Sequence, residues 1–309
     1  MRGGSTELQA EARAVFGEAA RFGEPMARYT LYRIGGPAAL FVHATSRALL
    51  QAAPVFAAKH ELPLFVIGLG SNLLVPDGGL DGVVVRVEIE TLRVEGAALA
   101  AGAGVPLGQA ARAALEHTLS GLEFCVGIPG SMGGALVMNA GCRGCEIGTL
   151  VEQVEVVGWD GTLRTVGREA CAFSYRSSDL HALGAAVAGA TLRLEPDDAA
   201  AIERRMDEHR MWRMSTQPLG LPNAGSVFKN PPGDAAGRLI DAAGCKGLRV
   251  GGAEVSDAHA NFIVNRGGAT CADVSALIET MRARVEQQFG VPLELELVDL
   301  GAGGKGATR

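Results

Sequence analysis

Residues 62–72 read Leu62-Pro63-Leu64-Phe65-Val66-Ile67-Gly68-Leu69-Gly70-Ser71-Asn72, a short apolar run ending in a cluster of glycine, serine and asparagine. The run suits a buried strand, and the cluster invites comparison with the dinucleotide fingerprint of a Rossmann turn. It fails that comparison. Leu73 stands where the third glycine belongs, and no helix opens after it. A Walker A phosphate loop is absent as well. What remains is a strand end whose successive backbone N–H groups could form an anion-binding nest, with Ser71 and Asn72 adding donors. A plain turn is the other reading.

Further along, Gly127-Ile128-Pro129-Gly130-Ser131-Met132-Gly133-Gly134 is a second glycine-dense loop, followed by Asn139-Ala140-Gly141. So much backbone freedom is costly to order unless something binds it. Two Gly/Ser/Asn loops in one half-chain suit an extended dinucleotide lying across both; a flexible lid is the alternative. Between and around these loops the periodicity predicts a helix over 48–60, strands over 62–67, 73–75 and 83–87, and a hairpin over 92–101. A helix over 107–118 follows, then a hairpin of 151–157 and 163–166 around Asp160-Gly161, and a strand over 185–194. Past Glu195-Pro196 the texture changes. A charged helix over 197–211 opens with Asp197 and Asp198, which complement its dipole. The Pro-broken connector 217–222 marks a candidate boundary. Beyond it we expect helices over 236–243 and 272–289 and strands over 261–264 and 293–298. The glycine-rich end, 301–309, reads as a frayed tail. This is mixed α+β with antiparallel hairpins, not a regular β-α-β alternation.

The chain has 309 residues, enough for about two domains. Its net charge of −6 argues against a bulk nucleic-acid surface. No run approaches the roughly 18 apolar residues of a membrane span. Residues 1–25 lack the apolar core of a signal peptide, and Leu8, Ala12, Val15, Phe16 and Ala19 suit an amphipathic helix. A cytoplasmic enzyme is expected. Of six cysteines, only Cys142 and Cys145 lie close together. No second Cys/His pair at ligand spacing accompanies them, so no metal site is expected, and they read as reduced thiols.

Three further stretches look chemical. Arg176, in Phe173-Ser174-Tyr175-Arg176-Ser177-Ser178-Asp179, has small polar neighbours and could meet a carboxylate with two parallel N–H donors. Ser226 sits on a Gly-flanked bend in Asn223-Ala224-Gly225-Ser226-Val227-Phe228-Lys229-Asn230-Pro231, without the Gly-x-Ser-x-Gly signature of a hydrolase nucleophile. Glu294 and Glu296 alternate with leucines, so a strand over 293–298 puts both on one face, by spacing alone a solvent-facing one.

Taken together, these motifs resemble the UDP-N-acetylenolpyruvoylglucosamine reductases. The resemblance runs from Tyr29-Thr30-Leu31-Tyr32-Arg33-Ile34-Gly35-Gly36-Pro37 through both glycine loops, Tyr175-Arg176, Ala224–Pro231 and Gly251-Gly252-Ala253-Glu254-Val255-Ser256 to the stretch 293–301, leaving out only the N-terminal 25 or so residues. It implies the two-lobed FAD-binding fold of the vanillyl-alcohol oxidase type, with lobes of about 28–88 and 89–195. It also implies a C-terminal α+β substrate region over 196–300; residues 1–25, outside the resemblance, are expected to be a helical extension. The implied reaction is the NADPH-dependent reduction of UDP-N-acetylglucosamine enolpyruvate to UDP-N-acetylmuramate. By motif position Arg176, Ser226 and Glu296 are the catalytic residues, with Ser226 the proton donor. Gly68, Gly70, Ser71, Asn72, Gly127, Gly130, Ser131, Gly133, Gly134, Asn139 and Gly141 are expected at the cofactor. Tyr175, Arg213, Lys229 and Asn230 are expected at the substrate. Neither loop contains His or Cys, so FAD is expected to be held non-covalently. No membrane, nucleic-acid or protein partner is implied.

Arg176 and Ser226 lie only 50 residues apart, which points to the family's shorter form, without an extra loop over the UDP end. Thr216 departs from members with a Lys before the Pro; Arg213, Lys229 and Arg249 are then the candidate cations for the pyrophosphate. Two rival readings are an FAD oxidoreductase of the same fold acting on another alcohol or sugar, and a flavin-binding module without turnover.

Overall fold

The computed structural model describes residues 6–184 and 186–301 and the backbone of Ala307–Thr308. Two sheets make up the first part of the chain. In the first, strands Ala20–Pro25, Pro37–Ala44, Leu80–Val87 and Leu64–Ile67 lie side by side in that order. The inner pairs are parallel and the outer pair, Ala20–Pro25 on Pro37–Ala44, is antiparallel. Leu80–Val87 is central and buried on both sides: Val83, Val85 and Val87 face one core, Leu80 and Val84 another. That explains its unbroken valine run, since a parallel strand covered on both faces has no polar side to alternate with.

The second sheet is antiparallel throughout, with Leu163–Gly167, Val151–Val157, Ala186–Arg193, Ala98–Gly102 and Leu92–Glu95 in order. One continuous core joins it to the first sheet, with helices Arg47–Lys59 and Leu107–Glu116 packed between and around them. Ser46 starts the first of these helices by accepting a hydrogen bond from the Leu49 amide at 3.3 Å.

A third unit has its own core. Helices Ala236–Ala242 and Cys271–Phe289 pack with the three-stranded sheet Arg249–Val250, Ala253–Val255 and Ile263–Asn265. Thr270 and Asp273 close a reciprocal cap at the start of the long helix, and Gly290 ends it in the left-handed conformation. This core also takes in Tyr32, Ile34 and Leu74 from the first lobe, and Asn265 donates to the Tyr32 carbonyl at 2.9 Å. The Tyr29–Pro37 motif therefore bridges two units.

Four expectations need correction. Ala20–Pro25, inside the presumed helical extension, is a strand of the first sheet; among the described residues there, only Thr6–Phe16 is α-helical. The helix Ala199–Thr216 falls in the presumed substrate region. It packs on the second lobe through Ile202 and Met206, and Arg205 bonds the buried Glu123, so the change of core falls at the 217–222 connector. The stretch 293–298 forms no regular strand: Leu295 makes an isolated bridge to Phe228 and only Val298–Asp299 pairs, parallel to Leu73–Leu74. Of the presumed tail, 302–306 and 309 lie outside the described residues, while Ala307–Thr308 lies on the edge of the first sheet beside Leu64–Phe65.

Candidate active site

The three units enclose a cleft of about 1860 Å³. A single small-ligand pocket is roughly 300–1,000 Å³, so there is room for a dinucleotide and a second large ligand together. One wall is made by the two glycine loops. Gly68, Gly70, Ser71, Asn72, Gly127, Gly130, Ser131, Gly133, Gly134 and Gly141 all line it. The 68–72 loop lies so close to the Tyr29–Leu31 backbone that a Cβ on Gly70 would meet the Tyr29 oxygen at 1.9 Å, with φ already at +64°. A Cβ on Gly68 would meet Ser131 Oγ at 2.1 Å. That hydroxyl is buried and has no hydrogen-bond partner among the described residues. An orphaned hydroxyl between two bare-backbone loops fits the phosphates of a dinucleotide. The residues present therefore fit FAD.

Inside the second loop, Met132–Val137 is a short helix that starts at Ser131, which the glycines at 133 and 134 concealed. Asn139 corrects an expectation. It is buried and does not line the cleft; its amide donates to Glu146 and to the Ser174 carbonyl and accepts from the Gly148 amide. Its side chain is thus spent on bracing the turn that carries Arg176. Asn72 is similarly engaged: its amide donates to the Glu296 carbonyl at 2.9 Å.

Facing the glycine loops is a wall of charged and polar side chains. Tyr175 and Arg176 sit at the apex of a tight turn closed by reciprocal Ser174–Ser177 backbone bonds. Arg176 has φ of +54°, a conformation costing a non-glycine residue about 1–2 kcal/mol. From there its Nε donates to Glu296 Oε1 at 2.8 Å and its Nη2 to the Gly141 carbonyl at 2.9 Å. Nη1 is left uncommitted among the described residues.

Glu296 is held at this point by backbone bonds to the Ser226–Lys229 segment. The Val227 carbonyl accepts from both the Glu296 and Leu297 amides, a two-on-one pairing that breaks strand alternation. Glu294 and Glu296 both line the cleft, at different depths. Glu294 is exposed and pairs with Lys229 at 3.5 Å, while Glu296 is only 19% exposed. Burial pushes the Glu296 carboxyl above its ordinary pKa, against the pull of Arg176 and Lys229.

Ser226 lines the same cleft, on the bend that Gly225 begins, and its hydroxyl has no protein partner among the described residues. Asn261 holds the chain after it. The Val227 amide donates to the Asn261 carbonyl, and the Asn261 side chain accepts from the Phe228 amide and donates to the Phe228 carbonyl. Sequence reasoning missed this residue; an asparagine next to the apolar run Phe262-Ile263-Val264 was the available signal. Asn230 lines the cleft and accepts from the Ala236 amide. Tyr175 lies outside the lining, with its hydroxyl accepting from the Asn230 amide at 3.4 Å.

Among the candidate pyrophosphate cations, Arg213 and Lys229 line the cleft and Arg249 does not; Arg249 pairs with the buried Glu254. Arg213 has a buried Nε without a partner. Burial holds its guanidinium below the ordinary pKa, with Cys142 beside it opposing the shift. A buried guanidinium without a carboxylate is costly, and a diphosphate would satisfy it. The arginines and lysines of the cleft outnumber its acids although the chain as a whole is acidic. No His/Cys/Asp/Glu group able to hold a metal occurs among the described residues, nor any helix there long and apolar enough to cross a membrane.

A cleft walled by glycine loops on one side and an Arg–Glu–Ser set on the other defines a flavin-dependent oxidoreductase. Residues 38–167 match the FAD binding domain family, and residues 217–299 match the C-terminal domain of UDP-N-acetylenolpyruvoylglucosamine reductase. The reductase of Moorella thermoacetica is 49% identical over 91% of this chain and 93% of its own. That of Alkalilimnicola ehrlichii is 48% identical over 95% and 98%. The crystal structure of UDP-N-acetylenolpyruvylglucosamine reductase from Thermus caldophilus superposes with a TM-score of 0.78 at 39% identity, covering 91% of this chain and 97% of that one. The chain belongs to the UDP-N-acetylenolpyruvoylglucosamine reductase family.

Proposed function

We propose that this chain reduces UDP-N-acetylglucosamine enolpyruvate to UDP-N-acetylmuramate, a step in peptidoglycan precursor synthesis, with NADPH as the hydride source. FAD, when bound at the glycine-loop wall, supplies the hydride that the enol ether receives. Gly68–Asn72 and Gly127–Gly134 hold its phosphates through backbone N–H groups and the Ser71 and Ser131 hydroxyls. Arg176 binds the substrate carboxylate with its uncommitted Nη1 group and stabilises the negative charge that builds there as C3 is reduced. Ser226 donates a proton to C2, the work of a placed general acid, worth roughly 10²–10⁴-fold. Glu296 fixes the Arg176 guanidinium and faces the developing enol. Arg213 and Lys229 meet the diphosphate. On this reading the enzyme works in the cytoplasm.

The observation that carries this reading is the meeting of Arg176 and Glu296, 120 residues apart, in the cleft that Ser226 also lines. The experiment is NADPH oxidation followed by absorbance. It should require the enolpyruvyl nucleotide sugar and be absent with UDP-N-acetylglucosamine alone. Oxidation independent of the enolpyruvyl group, or driven by a simple alcohol or sugar, would favour a different flavin oxidoreductase.

A further inference from the structure

At the cleft edge, Gly141–Cys142 and Cys145–Glu146 form a short antiparallel ribbon in which Cys142 and Cys145 are register partners. Residues opposite one another in such a pair have Cα atoms about 4.5–5.5 Å apart, inside the roughly 4.4–6.8 Å that a disulfide spans. Arg143 and Gly144 form the turn with φ of +52° and +84°, the two-residue hairpin geometry. Both cysteines are free thiols; Cys145 is exposed and Cys142 lines the cleft.

We propose that Cys142 and Cys145 are a dithiol site for low-molecular-weight disulfides, and that closing the bridge slows reduction of the substrate. The exposed Cys145 thiolate attacks a small disulfide, forms a mixed disulfide and releases one thiol. Cys142 then attacks the Cys145 sulfur and expels the second thiol. The two cysteines lose two electrons and two protons, and the small disulfide gains both. Burial raises the Cys142 thiol pKa against the pull of Arg213, Arg143 and Arg176, which suits Cys142 to the second step, where its partner is already in reach.

The effect on turnover follows from how the ribbon is wired. The Gly141 carbonyl accepts from Arg176 Nη2. Glu146 accepts from Asn139, which also donates to the Ser174 carbonyl in the turn that carries Arg176. The Cys142 thiol also acts on the Arg213 guanidinium, and a bridge to Cys145 removes that thiol. Closure therefore disturbs both supports of Arg176 and the neighbourhood of Arg213. This second half rests on the function proposed above; the thiol chemistry does not.

The test uses the flavin-loaded enzyme treated with oxidised glutathione, alkylated and digested with trypsin without reductant. Trypsin cuts after Arg143, so the bridge should join peptides 113–143 and 144–164, lighter by two hydrogens, with Cys125 alkylated. Substrate-driven flavin reoxidation should fall roughly tenfold, the scale of one weakened charge-assisted hydrogen bond, and return with dithiothreitol. Cys145→Ser should keep its activity and show neither change. A persistent glutathione adduct on Cys145 without a bridge, a bridge through Cys125, or a bridged enzyme with undiminished turnover would overturn the proposal. If no enolpyruvyl reduction occurs even before oxidation, the assigned reaction fails while the peptide result still stands.

Discussion

The two walls of the cleft are built on opposite plans. The glycine-loop wall is mostly bare backbone with no room for added atoms: Gly70 lies on the Tyr29 carbonyl and Gly68 against the Ser131 hydroxyl. The facing wall is made of side chains gathered from three distant segments around Arg176, Ser226 and Glu296. A backbone wall is damaged by adding atoms, whereas a side-chain wall is damaged by removing them. Losses on the first should appear as lost cofactor, and losses on the second as lost chemistry with cofactor retained.

Gly70→Ala should give the largest effect. The new methyl group would sit 1.9 Å from the Tyr29 carbonyl on a residue already at positive φ. Purified protein should carry almost no flavin by visible absorbance. A yellow but inactive variant would break the division between the walls.

Ser226→Ala comes next and tests the other side. Flavin bleaching by NADPH in a rapid-mixing instrument should keep close to its normal rate. Reoxidation by the enolpyruvyl substrate should slow on the order of 10²-fold or more, with Ser226→Cys recovering part. Equal loss in both half-reactions would make the serine structural.

Arg176→Lys keeps the charge but loses the fork geometry. Its flavin spectrum should be normal and its kcat/KM for the enolpyruvyl substrate roughly tenfold or more lower, as for loss of a charged hydrogen bond worth about 1.5–3 kcal/mol. Wild-type kinetics would reduce Arg176 to a surface arginine.

The smallest effect concerns stability. Glu296 has a raised pKa from burial, so the folded state binds its proton more tightly than the unfolded state. Its contribution is fully present below the unfolded carboxyl pKa and is lost as pH rises through the folded one. Glu296→Gln should therefore gain in Tm relative to wild type as pH rises from the ordinary carboxyl range toward neutrality. A difference in Tm independent of pH would mean that the carboxyl is not appreciably desolvated.

The difference between the walls also decides what the amino-acid order reveals. Local signals were legible: the valine run of Leu80–Val87, the Asp160-Gly161 turn and the 68–72 loop appear as read, while the second glycine loop hid the helix Met132–Val137. Tertiary signals were not. Ala20–Pro25 contains Gly23, Glu24 and Pro25, poor strand formers, and becomes a strand only because Pro37–Ala44 offers it an edge. The two glutamates of 293–298 differ in burial, Glu294 exposed beside Lys229 and Glu296 covered beside Arg176. No periodicity predicts that. Asn139 looked like one more polar loop residue, and only its three buried bonds reveal a brace. The catalytic set became visible through family resemblance, since spacing alone favoured an exposed strand face for Glu296.

The stitch between Leu73–Leu74 and Val298–Asp299, continued by the Asn72 amide on the Glu296 carbonyl, joins residues 224 positions apart. Contacts of such range form late, because the intervening chain must be brought to order before they reward it. On the ribosome, both flavin-binding lobes emerge and can collapse while the 68–72 loop still lacks its neighbour. The cleft is then finished by the last of its own lining segments to be translated, and a nascent chain stalled before residue 293 would present its glycine loops to solvent without Glu296 opposite them.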